Sequence, residues 1–201
     1  MSAPNKRPRG RPAIPKDVQR RRIVEAAFRA FERSPYERTT VADIVGEAGM
    51  SSRSFYAHFA SKDDLAAQIV EEYGAELLGQ VAEILSETPD DVPAHVDRAL
   101  GAWLEILPAA AIDLERLGGD AGRRVGEMRR RIVQELVDLT LAYMVRLHGL
   151  GLVPRPPVRA EVELLLTGIE GMSLRYYSEG RRDELLALRP VLRRLLLVGL
   201  G

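Results

Sequence analysis

Apolar residues in this chain recur at helical spacing over most of its length, and this pattern constrains the fold more than any other feature. Between residues 121 and 148 they return every three or four positions, as on one face of an α-helix. The stripe consists of Met128, Ile132, Leu136, Leu139, Tyr143 and Leu147. No alternating strand pattern and no longer repeat interrupts it. The sequence therefore predicts an all-α protein of about nine helices.

Capping residues, glycines and prolines predict where these helices begin and end. Thr40 precedes an apolar stripe and has Asp43 three positions later, Gly49 follows that stripe, and Ser51 and Ser61 each open a further helix. The predicted helices are 17–34, 41–48, 51–59, 61–85, 92–107, a short piece ending at 117, 121–148, 159–179 and 182–199.

The charge of the chain is unevenly distributed. Lys and Arg balance Asp and Glu at 29 each, but residues 1–62 carry 13 basic against 6 acidic side chains, or +7. Residues 63–201 carry the compensating −7. Because clustered positive charge attracts polyanions, this asymmetry indicates that the N-terminal part binds nucleic acid.

Several classes of protein are disfavoured by the sequence. The absence of cysteine excludes a disulfide framework and a thiolate metal site. No apolar run is long enough for a membrane span or a signal peptide, so we expect a cytoplasmic protein without a membrane partner. His58, His95 and His148 lack metal-ligand spacing, and no glycine-rich nucleotide motif is present. We therefore expect no cofactor, no metal and no enzymatic activity.

Residues 40–59 have the size and punctuation of a helix-turn-helix. Phe55 and Phe59 lie four positions apart on the expected buried side of the second helix, which leaves Ser52, Arg53 and Tyr56 facing outward. A short helix with a small, polar outer edge fits the major groove of DNA. Helical spacing alone favours an ordinary helical hairpin inside a bundle, and the local charge of +7 and the polar outer edge reduce that preference.

The run TTVADIVGEAGMSSRSFYAHFASKDDL, which begins at Thr39, resembles the N-terminal domain of TetR-family repressors. The resemblance covers about residues 18–75 and is most specific in the frame FYxHFxSKxxL. It implies a dimer that binds double-stranded DNA at a palindromic operator and releases it when a ligand enters the C-terminal domain. The implied organisation is a basic arm (1–16), a three-helix DNA-binding domain (17–62) and a helical ligand-binding and dimerisation bundle (63–201).

The same resemblance implies roles for individual residues. Thr40, Tyr56, His58 and Lys62 would contact phosphates, and the N-terminal end of the second motif helix would lie over the base edges. The predicted DNA-binding set is Thr40, Ser51, Ser52, Arg53, Ser54, Tyr56, His58 and Lys62. Tyr56 is alternatively a packing aromatic residue and His58 a capping residue. Arg53 departs from the family pattern, in which many members carry glycine, and would contact either a guanine or a phosphate.

The basic arm contains Pro8-Arg9-Gly10-Arg11-Pro12, which resembles the core of an AT-hook. Arg9 and Arg11 flank Gly10, whose missing side chain lets an extended backbone sit deep in the narrow minor groove of A·T-rich DNA. The alternative is a disordered, solvated basic tail, because short basic motifs are common.

The C-terminal half is expected to hold a largely apolar effector and to form the dimer. The predicted effector-binding residues are Trp103, Leu107, Met128, Ile132, Tyr143, Met144, Met172 and Tyr176. Each of them is alternatively an ordinary core residue. The last two helices, rich in leucine, are expected to pair with their copies as a four-helix interface. The alternatives are a DNA-binding regulator controlled by a protein partner or by no effector at all, a helical adaptor that does not bind DNA, and an enzyme built on the bundle.

Deleting residues 1–12 tests the arm. We expect lower affinity for operator DNA and a shallower slope of log affinity against log salt, because phosphate contacts release counterions. The two slopes are measured by fluorescence anisotropy. An unchanged slope would exclude the arm from the DNA complex.

Overall fold

Nine helices and no strand make up the part of the chain that the computed structural model describes, residues 14–34, 36–106 and 119–200. The helices are α1 (Lys16–Arg33), α2 (Val41–Ala48), α3 (Ser52–Tyr56), α4 (Lys62–Ser86), α5 (Val92–Ile106), α6 (Gly119–Gly149), α7 (Arg159–Ser178), α8 (Arg182–Ala187) and α9 (Arg189–Leu200). The predicted all-α class is confirmed. The predicted short helix ending at residue 117 and the proline at position 35 lie outside the described residues.

The capping predictions for the helix-turn-helix are confirmed. The Thr40 hydroxyl accepts the Asp43 N–H at 3.2 Å, and the Asp43 carboxylate accepts the Thr40 N–H at 2.8 Å, which completes a capping box. Gly49 ends α2 in the left-handed conformation at φ 63°, which glycine adopts without a side-chain clash. Ser51 and Ser61 accept the N–H groups of Ser54 and Asp64. The chain between α1 and α4 is therefore fixed by local hydrogen bonds.

Two predicted helix ends differ from the structure. The third helix ends at Tyr56 rather than at Phe59, because the chain tightens there and the His58 N–H bonds the Phe55 carbonyl three residues back. The predicted final helix at 182–199 is two helices that meet at Leu188. Pro190 explains this break, since proline has no N–H and its ring would clash with the carbonyl of Leu186 in a continuous helix.

Two hydrophobic cores organise the described residues. The N-terminal core is formed by α1, α2, α3 and the first half of α4, and it includes Phe55, Phe59 and Leu65. The second half of α4 packs with α5 to α9 in the C-terminal core. Val125, from the beginning of α6, is completely buried in the N-terminal core. Helices α4 and α6 therefore contribute to both cores.

None of the helices in the described ranges is long and apolar enough to cross a membrane.

Helices α4 and α6 pack closely at Gly74. A methyl group at this position would lie 2.1 Å from Ile132 Cδ1 and 3.0 Å from Ile132 Cγ1. Real side chains do not approach this closely, so the missing side chain of Gly74 lets Ile132 pack directly against the α4 backbone. Gly79, five residues further along α4, has no neighbouring atom within 4 Å of such a methyl group.

This difference yields a matched pair of variants. Gly79→Ala should raise the free energy of unfolding by about 0.5–1 kcal/mol, because alanine is the better helix former. Gly74→Ala has the same helical gain but displaces Ile132, so its free energy of unfolding should fall below that of the unmodified protein by about 1–3 kcal/mol. Urea denaturation followed by circular dichroism measures both. Equal stabilisation by the two variants would contradict the close packing.

Candidate functional site

Helix α3 is anchored on one side and free on the other. Phe55 and Phe59 are 0% and 1% exposed, with ring centroids 5.5 Å apart. Tyr56 is 59% exposed and lies edge-on to the Phe55 ring at 5.3 Å. Ser52 and Arg53 are also exposed. The structure therefore brings Ser52, Arg53 and Tyr56 together on one outward edge above an aromatic anchor, as the spacing predicted.

The side chains at the beginning of α3 differ in their hydrogen bonds. The Ser51 hydroxyl accepts the Ser54 N–H at 3.2 Å and lies 3.0 Å from the Ser54 hydroxyl, so these two serines bond each other. Within the described part of the chain, the side chains of Ser52, Arg53 and Tyr56 form no hydrogen bond or ion pair. These three groups offer free donors to a ligand on this edge.

Thr40 is committed to the cap of α2. Its hydroxyl donates to the Asp43 carboxylate at 2.6 Å, and hydrogen bonds from Thr40 hold the pKa of Asp43 below its ordinary value. The first backbone N–H groups of a helix have no acceptor within it, so the donors that this end of α2 offers to an anion are backbone groups. A phosphate contact by Thr40 itself stays a prediction.

Lys62 points into the protein. Its ammonium donates to the carbonyl oxygens of Tyr36 at 2.6 Å and Thr39 at 2.8 Å, and it lies 4.1 Å from the centre of the Tyr36 ring. Burial lowers the pKa of Lys62. The Tyr36 hydroxyl in turn donates to Asp63. Because two of three ammonium N–H groups are used, Lys62 fixes the loop before α2, and the predicted phosphate contact of Lys62 rests on the third.

His58 is half-buried between α3 and α1. Its Nε2 atom lies 3.5 Å from the Gln19 side-chain oxygen, at the outer limit of a hydrogen bond. The predicted phosphate contact of His58 therefore stays a prediction. The arm residues Arg9, Gly10 and Arg11 lie outside the described residues.

Ion pairs decide which N-terminal arginines keep a free charge. Arg20 binds Glu72 and Gln68 of α4, and Arg29 and Arg33 both bind Glu47 of α2. These bonds tie α1 to its neighbours and pair three cations with two carboxylates. The structure pairs no carboxylate with four exposed arginines of the described N-terminal residues, namely Arg21, Arg22, Arg38 and Arg53. Of these, Arg53 was predicted from the sequence, and the other three were not, since a count of charges cannot show which cations pair with carboxylates on other helices.

An apolar cavity lies in the C-terminal core. The volume that the centre of a water-sized molecule can occupy in this cavity is about 80 Å³, which is several times the volume that one water needs. Trp103, Tyr143 and Met144 of the predicted effector-binding set line it. The other lining residues are Val81, Leu85, Val96, Ala99, Leu100, Leu136, Thr140, Glu161, Val162, Leu165, Leu166, Ile169 and Leu196. Thr140 follows Leu136 by one turn of α6, a spacing that could have identified it.

The remaining predicted effector-binding residues lie elsewhere. Ile132 lines a second cavity of about 70 Å³, beside Trp103 and the ion pair Arg129–Glu170. Met128 packs against the N-terminal core. Met172 and Tyr176 pack against the C-terminal core and line neither cavity. Leu107 lies outside the described residues.

The leucine-rich faces of the last helices divide between core and surface. Ile169, Leu185 and Leu192 are buried in the C-terminal core. On α7 and α9, in contrast, Leu164 is 74% exposed and Val198 is 67% exposed, and Val191 and Leu195 are also exposed. Part of the predicted dimer face therefore packs in the core of this chain, and part remains exposed to solvent.

No group of three metal-ligating side chains occurs among residues 14–34, 36–106 and 119–200. His95 is buried, stacks on the Tyr143 ring at 5.3 Å and has its Nδ1 atom 2.9 Å from Arg98. Burial lowers the pKa of His95.

The N-terminal part of the chain matches a known protein family. Residues 23–69 match the family described as bacterial regulatory proteins, tetR family. The chain is 38% identical over 179 residues to the HTH-type transcriptional regulator YfiR of Bacillus subtilis, covering 84% of this chain and 85% of YfiR. It is 28% identical over 88 residues to the regulator YerO of the same organism, covering 43% of this chain but only 30% of YerO.

A solved structure extends the likeness to the whole fold. The transcriptional regulator FadR of Bacillus subtilis, in complex with stearoyl-CoA, superposes with a TM-score of 0.68 over 90% of this chain and 99% of FadR, at 15% sequence identity. The family match spans α2, α3 and the beginning of α4, where the free polar edge lies, and the YfiR match extends over most of the chain. The chain therefore belongs to the tetR family of bacterial regulatory proteins and is a DNA-binding transcriptional regulator.

Proposed function

We propose that this regulator is a ligand-responsive repressor that binds a palindromic operator as a dimer and is released by a small-molecule effector. The observation that carries the proposal is the free edge of α3, formed by Ser52, Arg53 and Tyr56 above the buried Phe55 and Phe59. Under this proposal, residues 17–62 are the DNA-binding domain, and residues 63–201 form the effector-binding and dimerisation domain.

The DNA contacts follow from the free donors. The outward edge of α3 enters a major groove about 12 Å wide, where Ser52 and Arg53 reach base edges. The Arg53 guanidinium has the fork geometry that binds a guanine or a phosphate at two points. The Tyr56 hydroxyl donates to a phosphate. Backbone N–H groups at α2 and the side chains of His58 and Lys62 supply further phosphate contacts, which fix the orientation of α3 on the duplex.

The dimer is proposed from the uncovered faces of α7 and α9. Leu164, Val191, Leu195 and Val198 are large apolar side chains that remain exposed in the single chain. Exposed apolar faces of this kind mark interaction surfaces, and a two-fold axis matches the same patch on both copies. The two α3 helices of such a dimer reach the two halves of a palindromic site.

The effector site is proposed at the larger apolar cavity. Its walls come from α4, α5, α6, α7 and α9, so a molecule bound there contacts most helices of the C-terminal core. FadR, which shares the fold, binds stearoyl-CoA. The cavity also favours a small-molecule effector over control by a protein partner, because a protein partner needs no internal space. Release of DNA is then a shift between two populations of the dimer.

The DNA contacts are tested on fragments selected from genomic DNA by the purified protein. Arg53→Ala should lower affinity for the selected site by about 1–3 kcal/mol, and it should relax base preference if Arg53 reads a guanine. Tyr56→Phe removes one phosphate bond and should weaken all sequences alike, by about 0.5–1.5 kcal/mol.

Arg131→Ala is the matched control, because Arg131 is an exposed arginine of α6 that pairs with Glu135 on the same helix. Anisotropy titrations with selected and scrambled duplexes measure all three variants. The proposed interface is wrong if Arg53→Ala and Tyr56→Phe bind DNA as tightly as Arg131→Ala.

The dimer face is tested by the double variant Leu164→Glu, Leu195→Glu. Placing four carboxylates in a two-fold apolar interface should weaken association by at least ~100-fold, because an unpaired buried charge costs several kcal/mol. Sedimentation equilibrium measures the dissociation constant. Val145→Glu is the control, since Val145 is equally apolar and 57% exposed but lies on α6. A dimer that withstands the double variant would place the interface elsewhere.

A further inference from the structure

The two apolar cavities of the C-terminal half lie end to end between the same helices. On α4, the larger cavity is lined by Val81 and Leu85, whereas the smaller one is lined by residues from Val70 to Leu77. Helices α6 and α7 show the same division. Their lining residues run from Met144 and Glu161 in the larger cavity to Arg129 and Leu174 in the smaller one. Helices α4, α6 and α7 thus line both cavities, one cavity after the other along each helix.

Among the described residues, two side chains line both cavities, Trp103 of α5 and Leu136 of α6. They therefore form the partition between the two spaces. Both are side chains on a helix that can change rotamer without moving the backbone. A change of this kind would join the two spaces into one channel.

The partition also carries an unsatisfied polar group. Trp103 is 6% exposed, and its indole N–H has no hydrogen-bond partner within the described residues. The Tyr143 hydroxyl, on a side chain that lines the larger cavity, is likewise buried without a partner there. Buried donors are nearly always bonded in folded proteins, so an acceptor supplied by a bound molecule would satisfy Trp103 at the partition.

The described lining residues of the two cavities offer no spare charge to a ligand. Glu161, in the wall of the larger cavity, has a carboxylate oxygen 3.1 Å from the guanidinium of Arg155. Arg129 and Glu170, in the wall of the smaller cavity, pair at 3.2 Å. Each charged side chain among the described lining residues is thus balanced by an opposite charge, and the other described lining residues are uncharged. A ligand with a net charge would have to break one of these pairs.

We propose that the two cavities are the halves of one binding site for an elongated, uncharged, mainly apolar molecule with a hydrogen-bond acceptor partway along its length. The molecule displaces Trp103 and Leu136 from the partition, and its acceptor receives the indole N–H. The span from Arg129 to Met144 on α6 is about 22 Å at the helical rise, which sets the greatest length of the molecule. This inference rests on the proposed effector cavity and adds the shape and charge of the effector.

The chain contains a single tryptophan, so its fluorescence reports on the partition directly. The probes are the straight-chain secondary alcohols 3-hexanol and 6-dodecanol, which carry the same hydroxyl partway along apolar chains of different length. Calorimetry measures their affinities, and the emission of Trp103 shows whether the indole environment changes. We expect both alcohols to bind, and 6-dodecanol to bind more tightly and to shift the Trp103 emission.

Two matched substitutions separate one cavity from two. Leu165→Phe adds volume in the wall of the larger cavity, and Leu174→Phe adds volume in the wall of the smaller one. Each should weaken 6-dodecanol about tenfold, the effect of excluding about two methylene groups. The shorter alcohol fits within one cavity, so at most one variant should weaken it. Leu78→Phe, a partly buried α4 position that lines neither cavity, is the control for repacking.

The outcomes distinguish the inference from the function on which it rests. If only one of the two variants weakens 6-dodecanol, or neither does, the molecule does not span the partition, although the effector cavity itself stands. If neither alcohol binds the unmodified protein, an apolar effector cavity is overturned as well, while DNA binding is measured independently. Circular dichroism melts of all three variants establish that each is folded.

Discussion

The packing of α6 into both hydrophobic cores is the constraint on which the rest of the structure depends. At its beginning, Val125 is fully buried in the core that supports α3. Further along the same helix, Leu136 and Tyr143 line the apolar cavity. A helix of 31 residues is about 45 Å long, so α6 is one continuous element that joins the core around the cavity to the core beneath α3. Contact between α6 and α4 at Gly74 adds a second path between the same two cores.

The N-terminal region separates structural from exposed polar groups. Hydrogen bonds link Lys62, Tyr36 and Asp63 to one another and to the loop before α2, so these side chains hold the motif together, and Lys62 keeps one ammonium N–H for a phosphate. Buried aromatic side chains hold α3 from below. Because the position of α3 is set by these buried contacts, its outward edge needs no internal partner, and Arg53 keeps its full charge for a ligand.

Local features of the fold could be predicted from the sequence, whereas contacts between distant residues could not. Thr40, Gly49 and Ser51 act within four residues of themselves, and each has the predicted role. Arg20 pairs with Glu72, 52 positions away, and no local pattern shows such a bond. Helical spacing placed Met128 on the inner face of its helix, but it could not show which core Met128 packs against. The break before Pro190 was not predicted, because the leucine pattern continues through it.

The central claim is that duplex DNA covers the outward edge of α3. Since the chain has no cysteine, Ser52→Cys introduces one thiol on this edge, and Ser178→Cys introduces one at the exposed end of α7. The measurement is the rate of thiol alkylation with and without a selected DNA duplex. The account predicts that DNA slows alkylation at position 52 at least about tenfold, because bound DNA excludes the reagent from the groove-facing edge, and leaves position 178 unchanged. Equal rates at position 52 with and without bound DNA would contradict it.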